Sequence, residues 1–184
     1  MNDFVRPSSR DAIITAGFAV LAADPAASLN DIARKAGVGR ATLHRHFSGR
    51  DDLVRCLALA ALHEMDAAVE AALENAQSHT DALKLTLQTL VPLGTQYGFL
   101  LSETATGKEI EAEYQRQAEA LSDMLKAAVS EGGLSAAIPV SWYARSFDAL
   151  LIAAWEAVQE QELTPDQASA LAWKTFTLNP KADA

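Results

Sequence analysis

The sequence predicts an all-α chain of about nine helices, with a three-helix unit at the amino terminus and a longer helical domain behind it. Two observations carry that expectation. Apolar residues recur three and four positions apart along most of the chain, the spacing that builds one side of a helix, and no run alternates as a half-buried strand does. Breakers also punctuate the pattern at helix-length intervals: Asp24-Pro25, Gly37-Val38-Gly39, Ser48-Gly49, Pro92 with Gly94, Gly107, Gly132-Gly133 and Thr164-Pro165. A length of 184 residues is enough for one or two domains with a real core.

The first helix is expected over about 9–23, with Ile13, Ile14, Phe18 and Leu21 along one side and Asp24-Pro25 as its stop. Ser28 reads as an N-cap, and Asp31 stands three positions on, where a capping box places its acid. The second helix turns Leu29, Ile32, Ala33 and Ala36 inward and ends at Gly37, which can take the left-handed conformation a tight turn needs. A short third helix covers about 40–47. A long fourth runs over about 50–75, with Asp51 and Asp52 at its positive end and Leu53, Leu57, Leu62, Met65, Val69 and Leu73 inward. Further helices are expected near 80–92, 97–105, 107–131, 139–161 and 165–178, with Pro139 and Pro165 in first turns. The first seven residues and the Lys181–Ala184 end are expected to fray.

Composition narrows the function. Apolar residues are 49% of the chain, yet no run approaches the roughly 18 needed for a membrane span. The Met1–Pro7 start has no apolar signal segment, and the single Cys56 excludes an internal disulfide and suits a reducing cytoplasm. The net charge of −9 argues against a nucleic-acid partner until its distribution is examined. Residues 1–55 carry eight Lys/Arg against six acids, whereas the remainder carries seven against eighteen. Only a locally positive surface can displace counterions from a phosphate backbone, and the amino-terminal unit supplies one. The domains are therefore drawn at 1–55 and 56–184.

Residues 28–53 read as a helix-turn-helix that grips double-stranded DNA. Spaced i and i+4, Leu43 and Phe47 anchor the third helix inward, leaving Arg40, Thr42 and Arg45 outward. Arg40 and Arg45 are the base-edge candidates, since an arginine fork matches the two acceptors of guanine. Ala41 and Thr42 are small enough for close approach, and Ser28 and Arg50 are placed to hold phosphates. His44 and His46 lie about 200° apart on a helix and so do not share a face for one ion. His44 is better placed to offer an imidazole N–H to phosphate. No metal set, paired catalytic carboxylates, nucleophile–base pair or phosphate loop is apparent, so neither an enzyme nor a cofactor is expected.

The supporting residues Ile32-Ala33, Ala36-Gly37-Val38, Arg40-Ala41-Thr42-Leu43, His46-Phe47, Arg50 and Leu53 make the stretch 9–55 resemble the DNA-binding domain of the tetracycline-repressor (TetR) family of bacterial regulators. That resemblance covers about a quarter of the chain. It implies an all-helical dimer whose carboxy-terminal domain binds an effector and controls DNA affinity. By position it assigns phosphate contacts to Ser28, Thr42, His44 and Arg50, and groove-facing places to Arg40, Ala41 and Arg45. His44 stands where the family usually has tyrosine. Arg50 stands for the usual lysine, keeping the charge but changing its hydrogen-bond geometry.

In the second domain, the run Phe147–Trp155 is apolar nearly all round, more than one stripe's worth of burial. With the following helix it suggests a dimer interface that includes Leu151, Trp155, Leu171 and Phe176, or else one thickly buried core helix. An unidentified small-molecule effector has its candidate contacts in Met65, Tyr97, Phe99, Tyr114, Met124, Trp142, Tyr143 and Phe147, a set that at helical spacing reads equally as core. Glu103 and Asp148 are acids that could meet a cationic group. The reading that follows is a cytoplasmic homodimeric repressor released from a palindromic operator by its effector. The alternatives are an activator, an effector-independent DNA-binding protein, and a helical protein-interaction module.

Overall fold

The computed structural model describes residues 8–103 and 105–178. The two ends expected to fray lie outside the described residues. Eight α-helices follow in order: α1 (Ser9–Ala23), α2 (Leu29–Lys35), α3 (Arg40–His46), α4 (Arg50–Leu73), α5 (His79–Tyr97), α6 (Lys108–Ser130), α7 (Val140–Gln159) and α8 (Pro165–Phe176). A 3-10 turn at Gly98–Ser102 separates α5 from α6. It takes the place of the helix expected over 97–105. No strand occurs among the described residues.

Caps set most boundaries. The Ser8 hydroxyl accepts the Asp11 N–H at 3.2 Å to open α1. Thr164 and Gln167 form a capping box at α8, with Pro165 in the first turn, where its missing N–H leaves nothing unpaired. One expected break is absent, because α5 passes through Pro92 and reaches Tyr97. Proline removes a ladder donor. Flanking the proline, two α7 side chains donate to other α5 carbonyls: the Trp155 indole N–H gives a 2.8 Å bond to the Leu90 carbonyl, and the Gln159 amide a 3.4 Å bond to that of Gly94. Gly94 is required here by close approach, since a Cβ on it would lie 2.2 Å from Trp155 Cδ1.

The chain divides into two compact units: the described residues of Met1–Leu62 with Gln96–Ile110, and those of His63–Thr95 with Glu111–Ala184. In the first, Ile13, Leu21, Ile32, Leu43, Leu53 and Leu57 are essentially inaccessible to water. Each such side chain contributes about 1.5–3 kcal/mol on burial. The stretch after α5 closes this core, for Tyr97 and Phe99 both meet the Phe18 ring edge-on, at 5.2 and 6.4 Å between centroids. The second unit is built round Leu83, Leu87, Val91 and Leu125, with α7 and α8 packed along each other through Tyr143, Phe147, Ala154, Ala172 and Phe176. No described helix is long and apolar enough to cross a membrane.

Candidate nucleic-acid interface

The turn between α2 and α3 is built from local rules. Ser28 caps α2 in a complete capping box, its hydroxyl accepting the Asp31 N–H at 3.3 Å while its own N–H gives a 3.0 Å bond to the Asp31 carboxylate. The Ser28 hydroxyl also donates to Asp31, at 2.6 Å, and the Arg34 guanidinium does so from the next turn at 2.6 Å. These bonds, the Ser28 hydroxyl first, hold the Asp31 carboxyl below the usual aspartate range. Gly37 has φ = 68°, a backbone conformation that costs other residues about 1–2 kcal/mol. The Val38 N–H then closes the turn on the Ala33 carbonyl at 3.0 Å.

α3 is divided as its sequence requires. Leu43 and Phe47 are buried, and the Arg10 guanidinium lies over the Phe47 ring, 5.7 Å from its centroid, fastening α3 to α1. Arg40, Ala41, His44 and Arg45 are exposed, Thr42 is half-buried, and His46 is half-buried at the edge of the trio. Arg40 Nε lies 3.5 Å from His44 Nε2, one turn apart. Two guanidinium groups, an imidazole and small side chains thus share the exposed surface of a helix seven residues long. That set can offer forked donors to base edges and single donors to phosphates.

Arg50, the first residue of α4, is placed differently. Its guanidinium donates to the Ala27 carbonyl at 2.8 Å, the Pro25 carbonyl at 2.5 Å and the Glu103 carboxylate at 2.5 Å. Beside it, Asp52 closes the first turn of α4 by accepting the Ser48 N–H at 2.9 Å and the Arg55 guanidinium at 2.5 Å. The Ser48 N–H chiefly, with the Ser48 hydroxyl and Arg55, holds the Asp52 carboxyl low.

The residues considered for an effector are distributed between the two units. Tyr97 and Phe99 lie in the core of the first unit against Phe18. In the second, Tyr143 and Phe147 are buried against Phe176, Met65 and Met124 are half-buried, and Tyr114 and Trp142 are exposed. Of the two acids, Glu103 is already held by Arg50. Asp148 stands exposed on α7, where desolvation against the helix surface pushes its carboxyl above the usual range. Of the residues considered for a dimer interface, Trp155 and Phe176 are buried within the chain and Leu151 is half-buried, whereas Leu171 is 53% exposed. Leu171 borders a shallow apolar groove with Leu150, Ala153, Ala157 and Leu163.

Two further constellations have no signature in the sequence. Glu103 meets Arg50 across 53 positions. On α6, Arg116 pairs with both Asp66 of α4 and Glu113, while Gln117 donates to Asp66 at 3.0 Å. A capping residue can be read from spacing, but partners this far apart are fixed only by the tertiary fold.

With this geometry in place, comparison with known proteins is informative. Residues 13–57 match the pattern of bacterial regulatory proteins of the tetR family. The chain is 34% identical over 157 residues to the HTH-type transcriptional repressor LfrR of Mycolicibacterium smegmatis, covering 84% of this chain and 82% of that one. A crystal structure of LfrR in complex with proflavine superposes with a TM-score of 0.77 at 32% identity, covering 92% of this chain and 94% of that one. The fatty acid degradation regulator FadR of Bacillus halodurans shares the fold at a TM-score of 0.74 and 14% identity, over 96% and 98% of the two chains. The spacing of the helix-turn-helix and the similarity along most of the chain agree: this protein belongs to the TetR family of bacterial transcriptional regulators.

Proposed function

We infer that this regulator is a cytoplasmic repressor that binds a palindromic operator as a homodimer and leaves it when a small-molecule effector binds. The observation that carries the reading is α3: Arg40 and Arg45 stand exposed on a helix whose other side is fixed by Leu43 and Phe47. Similarity to a protein named as a repressor supports the direction of control. Arg40, Ala41 and Arg45 face the major groove, while Ser28, Thr42 and His44 meet phosphates, the Ser28 hydroxyl turning from Asp31 to do so. The exposed apolar surface of α7 and α8 round Leu171 and Ala153 pairs with its copy, giving two reading heads on half-sites related by a two-fold axis.

The effector belongs to the second unit. LfrR has been crystallised with proflavine, a planar aromatic cation, and here Asp148 and the exposed Trp142 on α7 offer a carboxylate and a ring of suitable chemistry. Because α4 contributes residues to both units, a ligand that favours one setting of α4 changes the DNA affinity of the other. A differential of about 1–3 kcal/mol between the two states changes DNA binding about 5–150-fold.

The test is selection of a duplex from random-sequence DNA, followed by titration of Arg45→Ala and of the unaltered chain with proflavine. Arg45→Ala is expected to lose about 1–3 kcal/mol of discrimination at one base pair of each half-site. Proflavine is expected to weaken the complex. Tighter binding with the drug would make the protein an activator or co-repressed regulator, and selection of no sequence would end the operator reading.

A further inference from the structure

Arg50 is a charged residue at the edge of the DNA-reading unit, and its family position is that of a phosphate contact. Its hydrogen bonds describe another task. Both terminal nitrogens are engaged, one on the Ala27 carbonyl at 2.8 Å and the other on the Pro25 carbonyl and Glu103 at 2.5 Å each. The side chains of Arg50 and Glu103 are 33% and 19% exposed, so the pair is partly shielded from water and each charge faces its opposite. Pro25 and Ala27 belong to the connection that delivers Ser28, the N-cap of α2. Glu103 follows the 3-10 turn, in the stretch that closes this unit's core.

A planar guanidinium can bridge three acceptors on two separate segments in a fixed arrangement, whereas an ammonium on a flexible stem acts as a point charge. Replacing the usual lysine of this position by arginine thus changes a mobile cation into a rigid brace. We propose that Arg50 and Glu103 are positioning residues for DNA binding: together they hold the 25–28 connection against the start of α4, and the Arg50 charge is spent on Glu103 instead of on a phosphate. The inference rests on the reading that this unit binds duplex DNA.

The salt dependence of binding separates a brace from a contact. Each phosphate neutralised by a cation adds close to one unit to the slope of log affinity against log salt. A brace adds nothing to the slope but lowers affinity equally at every salt when it is removed. The full chain and its Arg50→Lys, Glu103→Gln and Arg45→Ala variants are titrated onto the selected duplex over a range of potassium chloride concentrations. Circular dichroism fixes a temperature at which each variant is folded. Arg50→Lys is expected to bind about tenfold more weakly, with a slope no shallower than that of the unaltered chain. Glu103→Gln, which keeps one acceptor oxygen, is expected to shift the same way by a smaller factor.

Arg50→Lys binding within twofold of the unaltered chain would overturn the proposal. So would tighter binding and a steeper slope in Glu103→Gln, because the freed Arg50 would then be reaching phosphate. A fall in melting temperature without a change in DNA affinity would reduce the pair to a structural role and overturn it as well. If Arg50→Lys does not fold, Glu103→Gln decides alone, with parallel weakening in favour and unchanged or tighter binding against. Arg45→Ala keeps the two readings apart. A strong Arg45 effect beside a flat Arg50 effect defeats only the brace, whereas failure of the unaltered chain to select any duplex defeats the DNA reading beneath it.

Discussion

The helix-turn-helix and the second unit differ in how far along the chain their shaping polar partners lie. In the DNA-reading unit the polar pairs that shape the helix-turn-helix are neighbours in sequence: Ser28 with Asp31, Asp31 with Arg34, and Ser48 with Asp52. In the second unit, beside local caps such as Thr164 with Gln167, polar links join distant segments: Arg116 with Asp66, His79 with Glu131 at 2.5 Å, and the Trp155 indole with the Leu90 carbonyl at 2.8 Å, a reach that in the first unit belongs chiefly to Arg50. Reach decides what each depends on. A helix-turn-helix set by local caps is fixed by its nearest neighbours in sequence, while a unit assembled by distant contacts depends on partners supplied by the whole fold.

The largest expected effect tests whether the distant contacts of the second unit are as tight as they look. Gly94→Ala places a methyl 2.2 Å from Trp155 Cδ1 and 2.4 Å from Cγ, and the indole cannot retreat without giving up its bond to Leu90. Overpacking of this kind costs about 1–3 kcal/mol or more. The helix-propensity gain of alanine over glycine, about 0.5–1 kcal/mol, does not offset it. All three tryptophans (Trp142, Trp155 and Trp173) lie in the second unit, so fluorescence-detected urea unfolding reports on it directly. The midpoint is expected to fall, and an unchanged midpoint would show that α5 and α7 slide apart at little cost.

Acid sharpens the comparison, because the two units carry aspartates shifted in opposite directions. Asp31 and Asp52 are held below the ordinary value of 3.8 by the bonds they accept. Their contribution is therefore fully present above that value and is lost as pH falls through the lowered ones. Asp148 is raised by desolvation, so the folded chain binds more protons than the unfolded one between the ordinary and the raised value, and its stability falls as pH rises through that window. Asp52→Asn is expected to speed amide exchange in the first turn of α4 at neutral pH by an amount equivalent to about 1 kcal/mol, with the difference vanishing in acid. Asp148→Asn is expected to raise the fluorescence midpoint at neutral pH, and that difference too should vanish towards the ordinary aspartate value. Shifts of the same sign in both variants at neutral pH would break the contrast.

The same difference in reach separates the features legible in the sequence from those fixed only by the tertiary fold. The Ser28 cap, the Gly37 turn and the inward Leu43 and Phe47 follow from spacing and from the residue type that adopts the left-handed conformation without strain. The arrest expected at Pro92 does not occur, and the α7 side chains that fasten α5 on either side of it, at the Leu90 and Gly94 carbonyls, come from more than sixty residues on. Tyr97 and Phe99 look like members of a single aromatic set with Tyr143 and Phe147, yet they pack on Phe18 of α1 and the others on Phe176 of α8. Periodicity tells which side of a helix is apolar and says nothing about which apolar neighbour will meet it. The exposed side chains of α3 were legible, but the brace from Glu103 to Arg50 was not.

The smallest expected effect is the counterpart of Gly94→Ala in the DNA-reading unit. Gly17 lies in the middle of α1, and a Cβ there would meet Leu57 Cδ1 at 3.1 Å and Cδ2 at 3.2 Å. These are the tips of a flexible side chain, so a shift of a few tenths of an ångström relieves the contact, whereas the Trp155 ring is tethered. The residual crowding opposes the gain of about 0.5–1 kcal/mol from removing a helix-interior glycine, and the two nearly cancel. Gly17→Ala is therefore expected to leave the thermal midpoint followed by circular dichroism within about 2 °C of the unaltered chain, and DNA affinity unchanged. A fall as large as that of Gly94→Ala would mean that the buried side of α1 is as tightly fitted as the α5–α7 contact, and that local capping is not what gives the reading head its tolerance.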